Sequence, residues 1–115
     1  MSLSLFNTID IIEIMENAIE RMRPPKDIRD KLDLGYRIDN QSIILFEIHP
    51  KYNDPTIKIE LDFAKATFVK STNKWRIYWM RGNLKWCQYE PEPESNNLQG
   101  FLKIVTEDKH NCFFG

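Results

Sequence analysis

The chain reads as a single α+β domain: a five-stranded antiparallel meander sheet with an N-terminal and a C-terminal helix packed on one face. Three observations predict it. Apolar residues recur at helical spacing near each end of the chain. Between them, short segments alternate apolar and polar residues and are separated by turn residues. No repeat, low-complexity tract or long linker divides the 115 residues, so one domain spanning 1–115 is expected. Strands bracketed by helices bury their apolar faces by stacking one layer on the other.

The elements follow in order. Asn7 or Thr8 is a candidate cap for a helix that begins at Ile9. Ile9, Ile12, Met15, Ile19 and Met22 form its stripe, widened by Ile11 and Ala18, while Glu13, Glu16 and Glu20 fall on the wet side. Pro24 and Pro25 end it, since proline has no N–H and restricts the residue before it. Leu32, Leu34, Tyr36 and Ile38 alternate with polar residues as a first strand, and Asn40 suits the positive φ of a turn. "SIILFEIHP" returns as a second strand ended by Pro50, and residues 51–61 read as a loop with a short edge segment. "DFAKATFVK", "KWRIYWMR" and "LKWCQYE" are the remaining strands, with Gly82-Asn83 as a tight hairpin turn. Leu98, Phe101, Leu102 and Val105 give the second helix, with Ser95 as its cap and Gly100 as a weak point. The apolar tail "HNCFFG" is expected to dock on the body.

Side-chain alternation sorts the last three strands into two faces. With two-residue turns, Ala64, Ala66, Phe68, Trp75, Ile77, Trp79, Leu84 and Trp86 share the core face. Lys65, Thr67, Val69, Arg76, Tyr78, Met80, Lys85, Cys87 and Tyr89 share the other. A three-residue loop in the first hairpin would place Leu32, Leu34, Tyr36, Ile44, Phe46 and Ile48 on the core face, with Asp33, Arg37, Ile43, Leu45, Glu47 and His49 opposite. Glu47, Lys65, Arg76, Tyr78, Lys85 and Tyr89 are then the candidate residues of one basic and aromatic patch for a ligand or partner.

Composition bounds the function. Net charge is −1, so no global field advertises nucleic acid or membrane. Charge is nonetheless uneven: residues 62–86 hold Lys65, Lys70, Lys74, Arg76, Arg81 and Lys85 against Asp62 alone. No apolar run approaches the roughly twenty residues of a membrane span. The first residues lack the basic start of a signal peptide, and a cytoplasmic location is expected. Cys87 and Cys112 are too few and too far apart for a disulfide scaffold. Glu47 and His49 lie two apart on one strand, the spacing at which a carboxylate orients an imidazole as a base. No nucleophile or glycine-rich oxyanion loop accompanies them. His110 and Cys112 are two soft ligands where a structural zinc site needs four. No phosphate loop, dinucleotide fingerprint or metalloprotease motif occurs. No catalytic residue, metal or cofactor is therefore assigned. The expectation is a binding or interaction module whose partner is another protein or a second copy. Weak binding of single-stranded nucleic acid and a small enzyme built on Glu47 and His49 are the alternatives.

Several segments carry a family resemblance: "RMRPP", "KLDLGYRIDNQSI", "FEIHP", "AKATFVKSTNKWRIYWMRGNLKW", "YEP" and "DKHNCFFG". Together, over residues 18–115, the chain resembles a family of small bacterial proteins catalogued only as a domain of unknown function. The resemblance implies a single domain and carries no activity, ligand or catalytic residue with it.

Overall fold

In the computed structural model, which describes residues 5–114, helix α1 (Leu5–Met22) is followed by β1 (Asp33–Asp39), β2 (Ser42–Lys51), β3 (Asp54–Val69), β4 (Lys74–Met80), β5 (Trp86–Gln88), β6 (Glu94–Ser95) and α2 (Leu98–Glu107). The sheet is antiparallel in the order β1-β2-β3-β4-β5. The short β6 pairs with β4 and adds a sixth strand to the five predicted.

Helix α1 starts before the predicted Ile9, so Asn7 and Thr8 lie inside it and do not cap it. Its buried stripe is Ile11, Met15, Ala18 and Ile19, with Ile14 and Met22 beside it, whereas Ile9 and Ile12 are exposed. Beyond the helix, Arg23 donates to both carboxylate oxygens of Asp33 at 2.8 and 2.7 Å, which ties the helix end to the start of β1. The second helix is capped by Asn97, whose side-chain oxygen accepts from the Gly100 N–H at 2.8 Å, and not by Ser95. A Cβ at position 100 would run into the Ser95 hydroxyl, so glycine is required there by a close approach.

One buried cluster contains α1 residues, Leu98, Phe101, Leu102, Ile104 and Val105 of α2, and side chains from a face of the sheet, hereafter the inner face. That face carries Leu34 from β1, Ile43 and Leu45 from β2, Ala64 and Ala66 from β3, and Trp75 and Ile77 from β4. The expected tail docking is also present. Phe113 is buried against Tyr89 at 5.0 Å and Phe114 stacks near Phe63 at 5.0 Å. The Asp108 carboxylate accepts from the backbone N–H groups of both Phe113 and Phe114.

Loop lengths correct the predicted face assignments in two places. The first hairpin turns on two residues, Asn40 (φ 59°) and Gln41, because Asp39 faces Ser42. Ile43 and Leu45 therefore point into the core, and Ile44, Phe46 and Ile48 point to the outer face, the reverse of the expectation. The β4–β5 connection runs from Arg81 to Lys85, with Leu84 at φ 62°, and is not a two-residue Gly82-Asn83 turn. Met80 faces Trp86 and Trp79 faces Cys87. Trp86 is thus turned outward, while Cys87 and the buried Tyr89 are turned inward. Between β3 and β4 the loop is also longer than expected, but the shift is even: Ala66 faces Ile77 and Phe68 faces Trp75, so the parity of both strands holds.

Residues 54–61 form the first half of β3, where a loop with only a short edge segment was expected. With β2, which β1 flanks as far as Ile48, they make an arm beyond the end of β4. The register shifts between Leu45 and Phe46, which face Ala64 and Asp62, leaving Phe63 as an extra, bulged residue. Phe63 and Ala64 are both buried in the core.

Candidate functional site

The outer face of the sheet offers the arrangement most suited to binding. At its centre Lys65 on β3 faces Tyr78 on β4. Its Nζ lies 4.8 Å from the centre of the Tyr78 ring and 4.7 Å from that of the Trp86 ring. A cation held over two ring faces is attracted by their quadrupoles. Desolvation lowers the Lys65 pKa from its ordinary value, opposed by the charge of the Asp39 carboxylate. Met80, facing Trp86, continues this half-buried surface.

Two further groupings flank the centre. Arg37 on β1 donates to both oxygens of Asp62 on β3 at 2.8 and 2.6 Å, reaching across β2. Its guanidinium also lies 5.7 Å from the centre of the Phe46 ring. Arg37 faces Ile44 and Asp62 faces Phe46, so the ion pair spans the two apolar residues that loop geometry placed on this side. Ile44 and Phe46 are buried there. Phe46 also lies over Gly35, where an added Cβ would come within 2.7 Å of its ring. On the other flank, Arg76 is exposed, between Thr67 of β3 and Glu94 of β6. The Thr67 hydroxyl is 2.7 Å from that of Ser42.

Of the six candidate residues, the structure brings Lys65, Arg76 and Tyr78 together on the outer face. Glu47 lies on the opposite face, since it faces Leu34 and Leu61, and it pairs with His49 at 3.3 Å. Lys85 is exposed in the β4–β5 loop. Tyr89 is buried, and burial pushes its phenol pKa up. Trp86 is the residue that sequence reasoning assigned to the core. In "KWCQY" two alternations compete, Trp86/Gln88 against Cys87/Tyr89, and only the length of the preceding loop decides between them.

Cys87 and Cys112 are free thiols, and burial raises the Cys112 pKa from its ordinary value. Among the described residues, no group of three or more His, Cys, Asp or Glu side chains gathers as a metal site. No helix among them is long and apolar enough to cross a membrane.

A family model described as a domain of unknown function, DUF3024, matches residues 3–115. No curated protein and no solved structure matches the chain.

Proposed function

The chain belongs to this family, and we propose that it is a small interaction module that binds another protein through the outer face of its sheet. The observation that carries this reading is the Lys65–Tyr78–Trp86 cluster, a lysine lying on two rings beside Met80. Tyr, Trp, Met and Arg are the residue types enriched where proteins meet, and charge is depleted at the centre of such contacts. Part of the charge around this cluster is answered from within: Arg37 is paired with Asp62, and Glu94 lies across the ladder from Arg76. A surface of that kind favours a partner that covers rings and aliphatic stems over one that neutralises a strong positive field.

Single-stranded nucleic acid is the reading to be set against it. Such binders stack bases on open ring faces along a basic groove. Here Lys65 lies over both the Tyr78 and Trp86 rings.

A photo-crosslinking residue placed at Tyr78, in the cells that produce the protein, tests the proposal against the same residue at exposed Ser71. Discrete protein adducts from position 78 and none from position 71 are expected. Identical adduct patterns would remove the proposal. Binding to a single-stranded oligonucleotide that weakens steeply with salt and is lost in Arg76→Ala would replace it with the nucleic-acid reading.

A further inference from the structure

The first half of β3 is a sheet edge. β4 reaches only from Val69 to Ala64 along β3, and ends at Met80, while β3 continues to Asp54 with β2 on one side. Its inner-face residues Ile59 and Leu61, and Ile57 beside the register shift at Pro50 and Lys51, are 39, 48 and 46% exposed. Three large apolar side chains in a row on an open strand are the feature that soluble proteins ordinarily avoid.

The Phe68 N–H donates to the Gln41 carbonyl, so Gln41 addresses β3, and by alternation so do Ile43, Leu45, Glu47 and His49. Glu47 and His49 face Leu61 and Ile59. Those two therefore spend their N–H and C=O groups on β2. Lys58 and Glu60, in between, turn theirs to the open side.

We propose that this edge is completed by a second copy of the same chain, the two β3 strands pairing antiparallel about a two-fold axis at Ile59. The sequence "TIKIELD" (Thr56–Asp62) is complementary to itself in that register. Ile59 meets Ile59, and Ile57 meets Leu61. Lys58 meets Glu60 of the second copy, and Glu60 meets its Lys58. The hydrogen-bonded pairs of this register are those between positions 58 and 60, whose backbone groups are the open ones. A lysine on an edge strand ordinarily repels an added strand; under this two-fold it faces a glutamate twice. The Lys58 ammonium donates one hydrogen bond to the Asp30 carbonyl, at 2.8 Å, and retains two further protons for the carboxylate. The slot ends at a cavity of about 600 Å³ bounded by Met80, Leu84, Glu60, Leu61, Asp62 and Arg37. There Thr56 of the second copy comes opposite Asp62. The product is an isologous dimer with one sheet running through both copies.

Light scattering on the full chain reads the outcome. Mass is expected to rise with concentration from 13.7 kDa towards twice that value. Ile59→Lys, which sets two cations face to face on the axis, and Glu60→Pro, which removes an N–H from the open side only, should each leave a folded monomer by circular dichroism. Lys58→Glu should weaken the dimer and Lys58→Glu/Glu60→Lys restore it. Ile59→Cys should give a disulfide-linked dimer under mild oxidation where Ser71→Cys gives none. A constant monomer mass, with no Ile59→Cys dimer beyond the Ser71→Cys level, would overturn the proposal. So would a dimer that survives both Ile59→Lys and Glu60→Pro but is broken by Tyr78→Glu. That result would place the axis on the outer face and leave the outer-face reading standing.

Discussion

From Ala64 to Val69, β3 runs between β2 and β4, and Ala64 and Ala66 have no exposed surface. From Lys58 to Asp62 it has only β2 beside it, and Ile57, Ile59 and Leu61 stay exposed. Both halves alternate, and the outlying half carries bulkier aliphatic side chains, Ile57, Ile59 and Leu61, than Ala64 and Ala66. Burial here follows from what stacks on the strand and not from how greasy it is. Ala64 and Ala66 lie opposite Trp79 and Ile77 across the ladder, so the half with the smaller aliphatic side chains is the half inside the core.

That contrast can be broken from either side. The largest effect is expected from Ile77→Ala, which removes a side chain with no exposed surface opposite Ala66. Urea denaturation should show a loss of about 2–5 kcal/mol, the range for deleting buried aliphatic groups. Ala66→Leu attacks the same spot by addition, between Ile43 and Ile77. Overpacking should cost about 1–3 kcal/mol. A third test asks how far the covered region reaches towards β1. Burial, with a hydrogen bond to Glu16, pushes the Tyr36 phenol up to about 12 from 10.0. A raised folded pKa stabilises the fold below the unfolded value and loses that contribution as pH climbs through the folded one. Stability should therefore fall between pH 10 and about 12, and Tyr36→Phe should flatten that limb in a pH series of thermal melts. The smallest effect belongs to the arm. Ile59→Thr, measured at a concentration where the chain is monomeric, should change stability by no more than about 0.5 kcal/mol.

The sequence made β4 legible because Trp75, Ile77 and Trp79 leave only one parity that buries large groups, and it made Lys65, Arg76 and Tyr78 neighbours on the opposite face. Both helices were likewise visible in their spacing, although the stripe of α1 is turned away from Ile9 and Ile12. Connections were harder to read. Asn40-Gln41 and Arg81–Lys85 each differ by an odd number of residues from the assumed turn, which sends β2 and β5 to the reverse faces. Where a strand has large apolar residues on both sides, as Ile43 to Phe46 does, the pattern cannot arbitrate. Glu47 and Tyr89 left the candidate patch, and Trp86 entered it, for that reason alone. The arm was hidden by Asp54-Pro55, which reads as loop yet begins β3.

Phe63 has one more effect. As the supernumerary residue of β3 it is absorbed by the bulge, since Asp62 and Ala64 face the adjacent residues Phe46 and Leu45 of β2. Deleting it would restore a plain ladder and leave Lys58, Ile59 and Glu60 on their present sides. What such a chain would lose is a buried ring, so the shortened strand should be less stable while its edge keeps the same order of side chains.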